Sequence, residues 1–137
     1  MEKTLEFESY LTHMPFPVKL EINSYLNNQN LYIGLTDVSE MGPEPYGDIT
    51  VNLGKVPAYC GYVDMNNMPE LEEFIKDNDL GEFTGLTKRS GFCEYPLYLF
   101  NVDKLRELCP DGMQAYETLI GRVKDEKVKE KARGGNW

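Results

Sequence analysis

Few side chains in this sequence have the type and spacing that bond-making chemistry needs. The single histidine, His13, stands between Thr12 and Met14-Pro15. With Cys60, Cys93 or Cys109 it could form a thiol–imidazole pair. No local nucleophile signature surrounds any of these cysteines, and small buried hydrophobes are the simpler reading of them. Zinc would want closely spaced Cys and His ligands, which the positions 60, 93 and 109 do not offer. The sequence also lacks a glycine-rich phosphate loop, a dinucleotide fingerprint and a calcium loop. Gly42-Pro43-Glu44-Pro45-Tyr46-Gly47-Asp48 reads as a rigid surface loop. The expectation is a protein with no catalytic residue, no cofactor and no metal, and so not an enzyme.

Two polar–aromatic segments stand apart from this background. One runs through Tyr59-Cys60-Gly61-Tyr62-Val63-Asp64-Met65-Asn66-Asn67. The other runs through Thr87-Lys88-Arg89-Ser90-Gly91-Phe92-Cys93-Glu94-Tyr95-Pro96. The plain reading is a strand entering a helix cap, and a turn flanked by core aromatics. The functional reading is a shared pocket lined by Tyr62, Asp64, Arg89, Glu94 and Tyr95. Buried acids there would need partners, and Lys88 and Arg89 are the bases nearest in sequence.

Charge is the strongest signal. The 23 acids and 14 bases give −9 over 137 residues. Residues 122–133 hold six bases and three acids, whereas residues 1–121 hold twenty acids and eight bases. The densest stretch, 37–82, has eleven acids and only Lys55 and Lys76 as bases. Within it Glu70, Glu73 and Asp77 share one helix face, with Glu72 and Asp79 close by. Like charges at such spacing repel by about 0.2–0.5 kcal/mol per pair. A row of this kind is either an ordinary solvated face or a surface turned towards something basic. Its spacing resembles that of DNA, which carries about one phosphate per 3.4 Å of axis per strand. The expected contact row is Glu70, Glu72, Glu73, Asp77 and Asp79. Direct binding of nucleic acid by the acidic body is disfavoured, because phosphate contact needs clustered Lys and Arg.

The elements that must position these residues follow from hydrophobic period. Leu5 and Phe7, then Val18, Leu20 and Ile22, then Leu31, Ile33 and Leu35 alternate with polar neighbours, as do Ile49, Val51 and Leu53 and residues 59–63. A period of two marks half-buried strands. The connection 27–30 is rich in Asn, which tolerates left-handed backbone. Short connections favour an antiparallel meander. A helix is expected after Asn67 as cap, with Pro69 in its first turn and Leu71, Phe74 and Ile75 as its apolar stripe. Strands over 83–87 and 92–100 follow, the second demoted by Pro96 to an edge or a bulge. Asn101 caps a short helix, and Asp111 opens the last one in a capping box with Gln114. Met113, Tyr116, Ile120 and Val123 form that helix's inner face.

This order predicts an α+β class: a mostly antiparallel sheet with two to three helices on one face, in a single domain over 1–123. Residues 124–137 read as a basic helical extension with a flexible end. No apolar run long enough to span a membrane exists. The N-terminus lacks a secretion signal, and three cysteines without close pairs fit a reducing compartment. A cytoplasmic location is expected, with no membrane partner.

The sequence resembles a family of small acidic bacterial proteins of unknown function, carried mainly on conjugative elements and phages of Gram-positive gut bacteria. The resemblance rests on Leu31-Tyr32-Ile33-Gly34-Leu35, Asp48-Ile49-Thr50-Val51-Asn52-Leu53, Tyr62-Val63-Asp64 with Asn66-Asn67, and Ser90-Gly91-Phe92-Cys93-Glu94-Tyr95-Pro96-Leu97-Tyr98. It covers roughly residues 5–110 and carries no catalytic residues. It implies a mobile-element accessory protein. Together with the charge, that setting leads to the expectation of a DNA-mimic-like inhibitor of a host DNA-targeting nuclease, anti-CRISPR or anti-restriction, whose partner is that nuclease or another basic DNA-binding protein. The alternative is a regulatory or scaffold module that binds another element-encoded protein.

Overall fold

The computed structural model describes residues 3–40 and 42–121. The expected extension over 124–137, and Val123 with it, lies outside the described residues. The first three alternating segments become β1 (Leu5–Glu8), β2 (Pro15–Ser24) and β3 (Leu31–Asp37), which with β4 (Glu44–Asp48) form an antiparallel meander in that order. A second sheet holds β5 (Thr50–Val51), β6 (Cys60–Val63), β7 (Gly81–Ser90) and β8 (Cys93–Phe100), in the order β5-β6-β8-β7. Helix α1 (Leu71–Asp77) lies between β6 and β7 in sequence, and α2 (Val102–Leu108) and α3 (Pro110–Leu119) follow β8. The class is α+β, with the antiparallel strands divided between two sheets.

The alternation predicted the inward faces. Register pairs Leu20 with Leu35 and Ile22 with Ile33, and all four are buried. They join Val63, Tyr98 and Phe100 of the second sheet, Leu71, Phe74 and Ile75 of α1, and Leu105, Met113 and Tyr116 of α2 and α3 in one core. Ile49, wholly buried, is where the chain passes between sheets. Its N–H donates to the Ile33 carbonyl at 2.8 Å, and its carbonyl accepts from the Asp64 N–H at 2.9 Å. Close packing of α3 on β2 requires Gly112, since a Cβ there would stand 2.5 Å from the Ile22 carbonyl oxygen.

Several local expectations need correction. The segment 44–48 is a strand, not a loop; as the outermost strand of its sheet β4 accommodates Pro45, which faces Thr36. The set Ile49, Val51 and Leu53 is not one strand, because the chain changes sheets at Ile49 and β5 ends at Val51. Asn67 does not cap α1: its amide donates to Asp64 Oδ2 at 2.9 Å, and Glu70 takes the cap position without a side-chain bond. Pro96 does not mark an edge, since β8 lies between β6 and β7. It is tolerated because β6 pairs only as far as Leu97, while β7 carries a register shift between Phe83 and Thr87. Helix α3 begins at Pro110 with Cys109 as its cap residue, so the Asp111–Gln114 capping box is not formed. In the connection 27–30 it is Gln29 that takes the left-handed angle, φ 62°. The neighbouring amides interlock instead, Asn28 and Asn30 each donating to Asn52 Oδ1 at 3.0 Å.

Candidate functional site

Edge strand β1 buries Phe7 and turns Glu6 and Glu8 outwards. Residues two apart on a strand share a face about 7 Å apart. The register partners of these two acids are Pro17 and Pro15, which carry no charge. Helix α1 buries Leu71, Phe74 and Ile75 and so turns its acids outwards too. The two elements meet across a groove of about 550 Å³. Glu6 and Glu8 line it from one side, and Glu70, Glu73 and Asp77 from the other; among the described residues no Lys or Arg lines it. The Tyr10 N–H donates to Glu70 Oε2 at 2.9 Å, tying the β1–β2 connection to the start of α1. The Tyr10 phenol titrates above the ordinary tyrosine value, through desolvation first and then the negative field of Glu73, Glu70 and Glu72.

Six of the eight bases among the described residues are engaged elsewhere, Lys76 and Arg89 being the others. Lys3 and Lys104 pair with Glu107, Lys19 with Glu21, and Arg106 with Glu117 and Asp103. Lys55 and Lys88 donate to the carbonyls of Asn28 and Leu53. Among the described residues, none of the five groove carboxylates makes an ion pair.

The predicted contact row is therefore partly assembled. Glu70, Glu73 and Asp77 share the groove, while Glu72 and Asp79 do not line it. Glu72 is exposed, and its charge acts on the Tyr98 phenol, raised first by burial and then by Glu72. Asp79 sits past the helix end at φ 55°, where its carboxylate accepts from Asn101 Nδ2 at 3.2 Å. Glu6 and Glu8 were missed as members. Their alternation with Leu5 and Phe7 marked them as solvent-facing, but no local pattern shows that β1 will lie beside α1.

The predicted pocket set is divided between two faces of the second sheet. Arg89 and Glu94 are register partners on the side of Tyr98 and Phe100. Tyr62 and Tyr95 lie on the opposite side, with Leu97. The Tyr95 phenol is raised by desolvation, then by Cys93 and Asp64, which places Asp64 within electrostatic reach of it. None of the five lines the groove or the hollows of about 410, 260 and 180 Å³ elsewhere on the surface. Among the described residues no group of three or more His, Cys, Asp or Glu could hold a metal ion. Cys60, Cys93 and Cys109 are free thiols, and burial raises that of Cys60.

Fold and groove together define a small two-sheet α+β domain with an anionic concavity. The chain belongs to the family described as Domain of unknown function (DUF4313), whose model matches residues 19–120. Comparison with curated proteins and with solved structures finds no match. The matched region holds α1 and ends after α3; β1, with Glu6 and Glu8, precedes it. No helix among the described residues is long and apolar enough to cross a membrane.

Proposed function

We propose that the protein is a non-catalytic inhibitor of a host DNA-targeting defence nuclease, of the CRISPR or restriction kind. It presents the carboxylates of the β1–α1 groove to the positively lined channel that otherwise holds DNA. The observation that carries this reading is the set of five carboxylates drawn from two separate elements, with no base lining the groove among the described residues. A helix that only needed solubility would gain from neutralising pairs across that groove. The mobile-element setting that the family resemblance implies supports the choice of target. In this reading the protein acts in the cytoplasm, needs no cofactor and binds protein, not nucleic acid or membrane.

Inhibition through such a surface weakens as added salt shortens the Debye length. Plasmid-transformation and phage-challenge assays in cells carrying defined CRISPR and restriction systems test it. The wild-type chain is expected to protect the incoming DNA, and the variant Glu70→Lys/Glu73→Lys/Asp77→Lys to lose protection while keeping its far-UV circular dichroism. Full protection by the triple variant would remove this groove as the contact.

A second reading is favoured by a different surface. Phe92, fully exposed at the tip of the β7–β8 hairpin and near Tyr95, suits a regulatory or scaffold module that binds another element-encoded protein. Recovery of a relaxase, replication or regulatory protein from the native host, instead of a nuclease, would select it.

A further inference from the structure

The longest edge strand among the described residues is β7. It is outermost in the second sheet, and every residue from 82 to 90 is exposed. Its neighbour β8 dictates which of its backbone groups are free. The Phe100 N–H donates to the Tyr59 carbonyl, away from its register partner Gly81. Pro96 has no N–H at all, and it faces Thr87. Bonded and non-bonded pairs alternate along an antiparallel ladder. Gly81, Phe83, Thr87 and Arg89 therefore direct their N–H and C=O groups towards the open edge. The same alternation makes Ser90 and Cys93 a bonded pair, as a two-residue turn at Gly91 and Phe92 requires.

Side chains alternate with the same period. Glu82 and Lys88, partners of Leu99 and Tyr95, share the outer face. Between Phe83 and Thr87 the strand holds two residues more than β8 does opposite, which preserves the alternation across the bulge.

We propose that β7 is a dimerisation edge, joining antiparallel to β7 of a second copy about a two-fold axis at Gly85. An incoming strand must match outward groups with outward groups, so only every second register is open. Placing the axis at Lys88 or Arg89 sets that cation against its own copy. Placing it at Leu86 sets Glu82 against Ser90 and Lys88 against Thr84. With the axis at Gly85, Glu82 stands opposite Lys88 of the second copy, whose Nζ exchanges its bond to the Leu53 carbonyl for the carboxylate on association, and the pair occurs twice by symmetry. These are pairs of the non-bonded type, in which facing side chains come closest. Phe83, half exposed in the single chain, faces Thr87 of the second copy. Gly85 itself has φ 93°, and a Cβ there would meet nothing within 4 Å, so no side chain separates the two backbones at the axis. A bulge and flanking charges are also how natural sheets protect an edge from pairing. The two cases differ in measurable association.

Sedimentation equilibrium of the full chain, from micromolar to sub-millimolar concentration, decides between them. The expected mass at high concentration is twice 15.7 kDa. Glu82→Lys alone is expected to weaken association at least about tenfold, since it replaces two attractive cross-strand pairs by repulsive ones. Glu82→Lys with Lys88→Glu restores it. Thr87→Pro removes an outward N–H that β8 does not use, and is expected to abolish the dimer while leaving the fold intact. A chain that stays monomeric throughout, or a dimer indifferent to Glu82→Lys and Thr87→Pro, overturns the proposal.

Discussion

Glu117 and the groove carboxylates carry the same functional group in opposite situations. Glu117 is 2% exposed, and both its carboxylate oxygens are used. Arg106 donates to it twice, from Nε at 2.9 Å and from Nη2 at 2.6 Å, and the Tyr59 phenol donates to Oε2 at 2.5 Å. This clasp joins α2 to α3 and fixes Tyr59, a bulky residue held at φ 67°. Such a backbone persists only where its surroundings determine it. The Tyr59 N–H donates to the Tyr116 hydroxyl at 3.0 Å, and its carbonyl accepts from Phe100. In the groove, by contrast, Glu6, Glu8, Glu73 and Asp77 accept no hydrogen bond among the described residues, and Glu70 accepts one from a backbone N–H. One region has committed its charge to the fold, and the other has left its charge available. Substitutions should then act on stability in the first region and on binding in the second.

The largest effect on stability is expected at the clasp. Glu117→Gln keeps the shape but removes the charge from two bonds with Arg106 and one with Tyr59. Hydrogen bonds to charged groups contribute about 1.5–3 kcal/mol each, and Arg106 is exposed enough to regain water, so a loss of about 2 kcal/mol in urea-denaturation stability is expected. A change below about 0.5 kcal/mol, the usual range of surface substitutions, would erase the distinction between the two regions.

Acid sharpens the same contrast. The Arg106 hydrogen bonds hold the Glu117 carboxyl below its ordinary range, against burial, which acts the other way; the Tyr59 phenol adds to the lowering. A depressed folded value means that the stabilisation is complete above the unfolded carboxyl value, about 4.3, and is lost as pH falls through the folded value. Stability of the wild type should therefore fall more steeply below that point than stability of Glu117→Gln. Parallel pH profiles of the two proteins would show that the clasp contributes no linkage.

Much of this architecture was readable because its cause is local. The period of two marked β1, β2, β3 and β6 through residues that do enter the core, such as Phe7, Leu20, Ile33 and Val63. Asn101 was readable as the cap of α2 because its side chain needs only a backbone N–H three residues on, that of Lys104 at 3.3 Å. Asn67 misled because Asp64 offered its amide a nearer partner. The strand β4 was hidden by Gly and Pro, since its pairing comes from β3 and not from its own composition. Glu117 could have been found: it stands four residues after Met113, on the helix stripe that also holds Tyr116. Glu6 and Glu8 could not, because only the tertiary fold sets β1 opposite α1. That is also why just three of the five predicted acids share a site.

The smallest expected effect is the most discriminating for the groove. Glu70, Glu72 and Glu73 stand at the N-terminal end of α1, where the helix dipole favours negative charge, so the fold itself can account for them. Asp77 is the last residue of α1, where the dipole opposes a carboxylate, and Glu73 lies one turn before it. Local physics thus gives no reason for a charge at this position, and helix stability alone would prefer its removal. Asp77→Asn is expected to raise stability by about 0.5 kcal/mol, summing the relief of helix-end and like-charge repulsion. The same substitution should weaken binding to a basic partner, most visibly at low salt. Loss of stability on neutralising Asp77 would mean that the fold uses this carboxylate after all, and the contrast with Glu117 would fail at the residue where it is clearest.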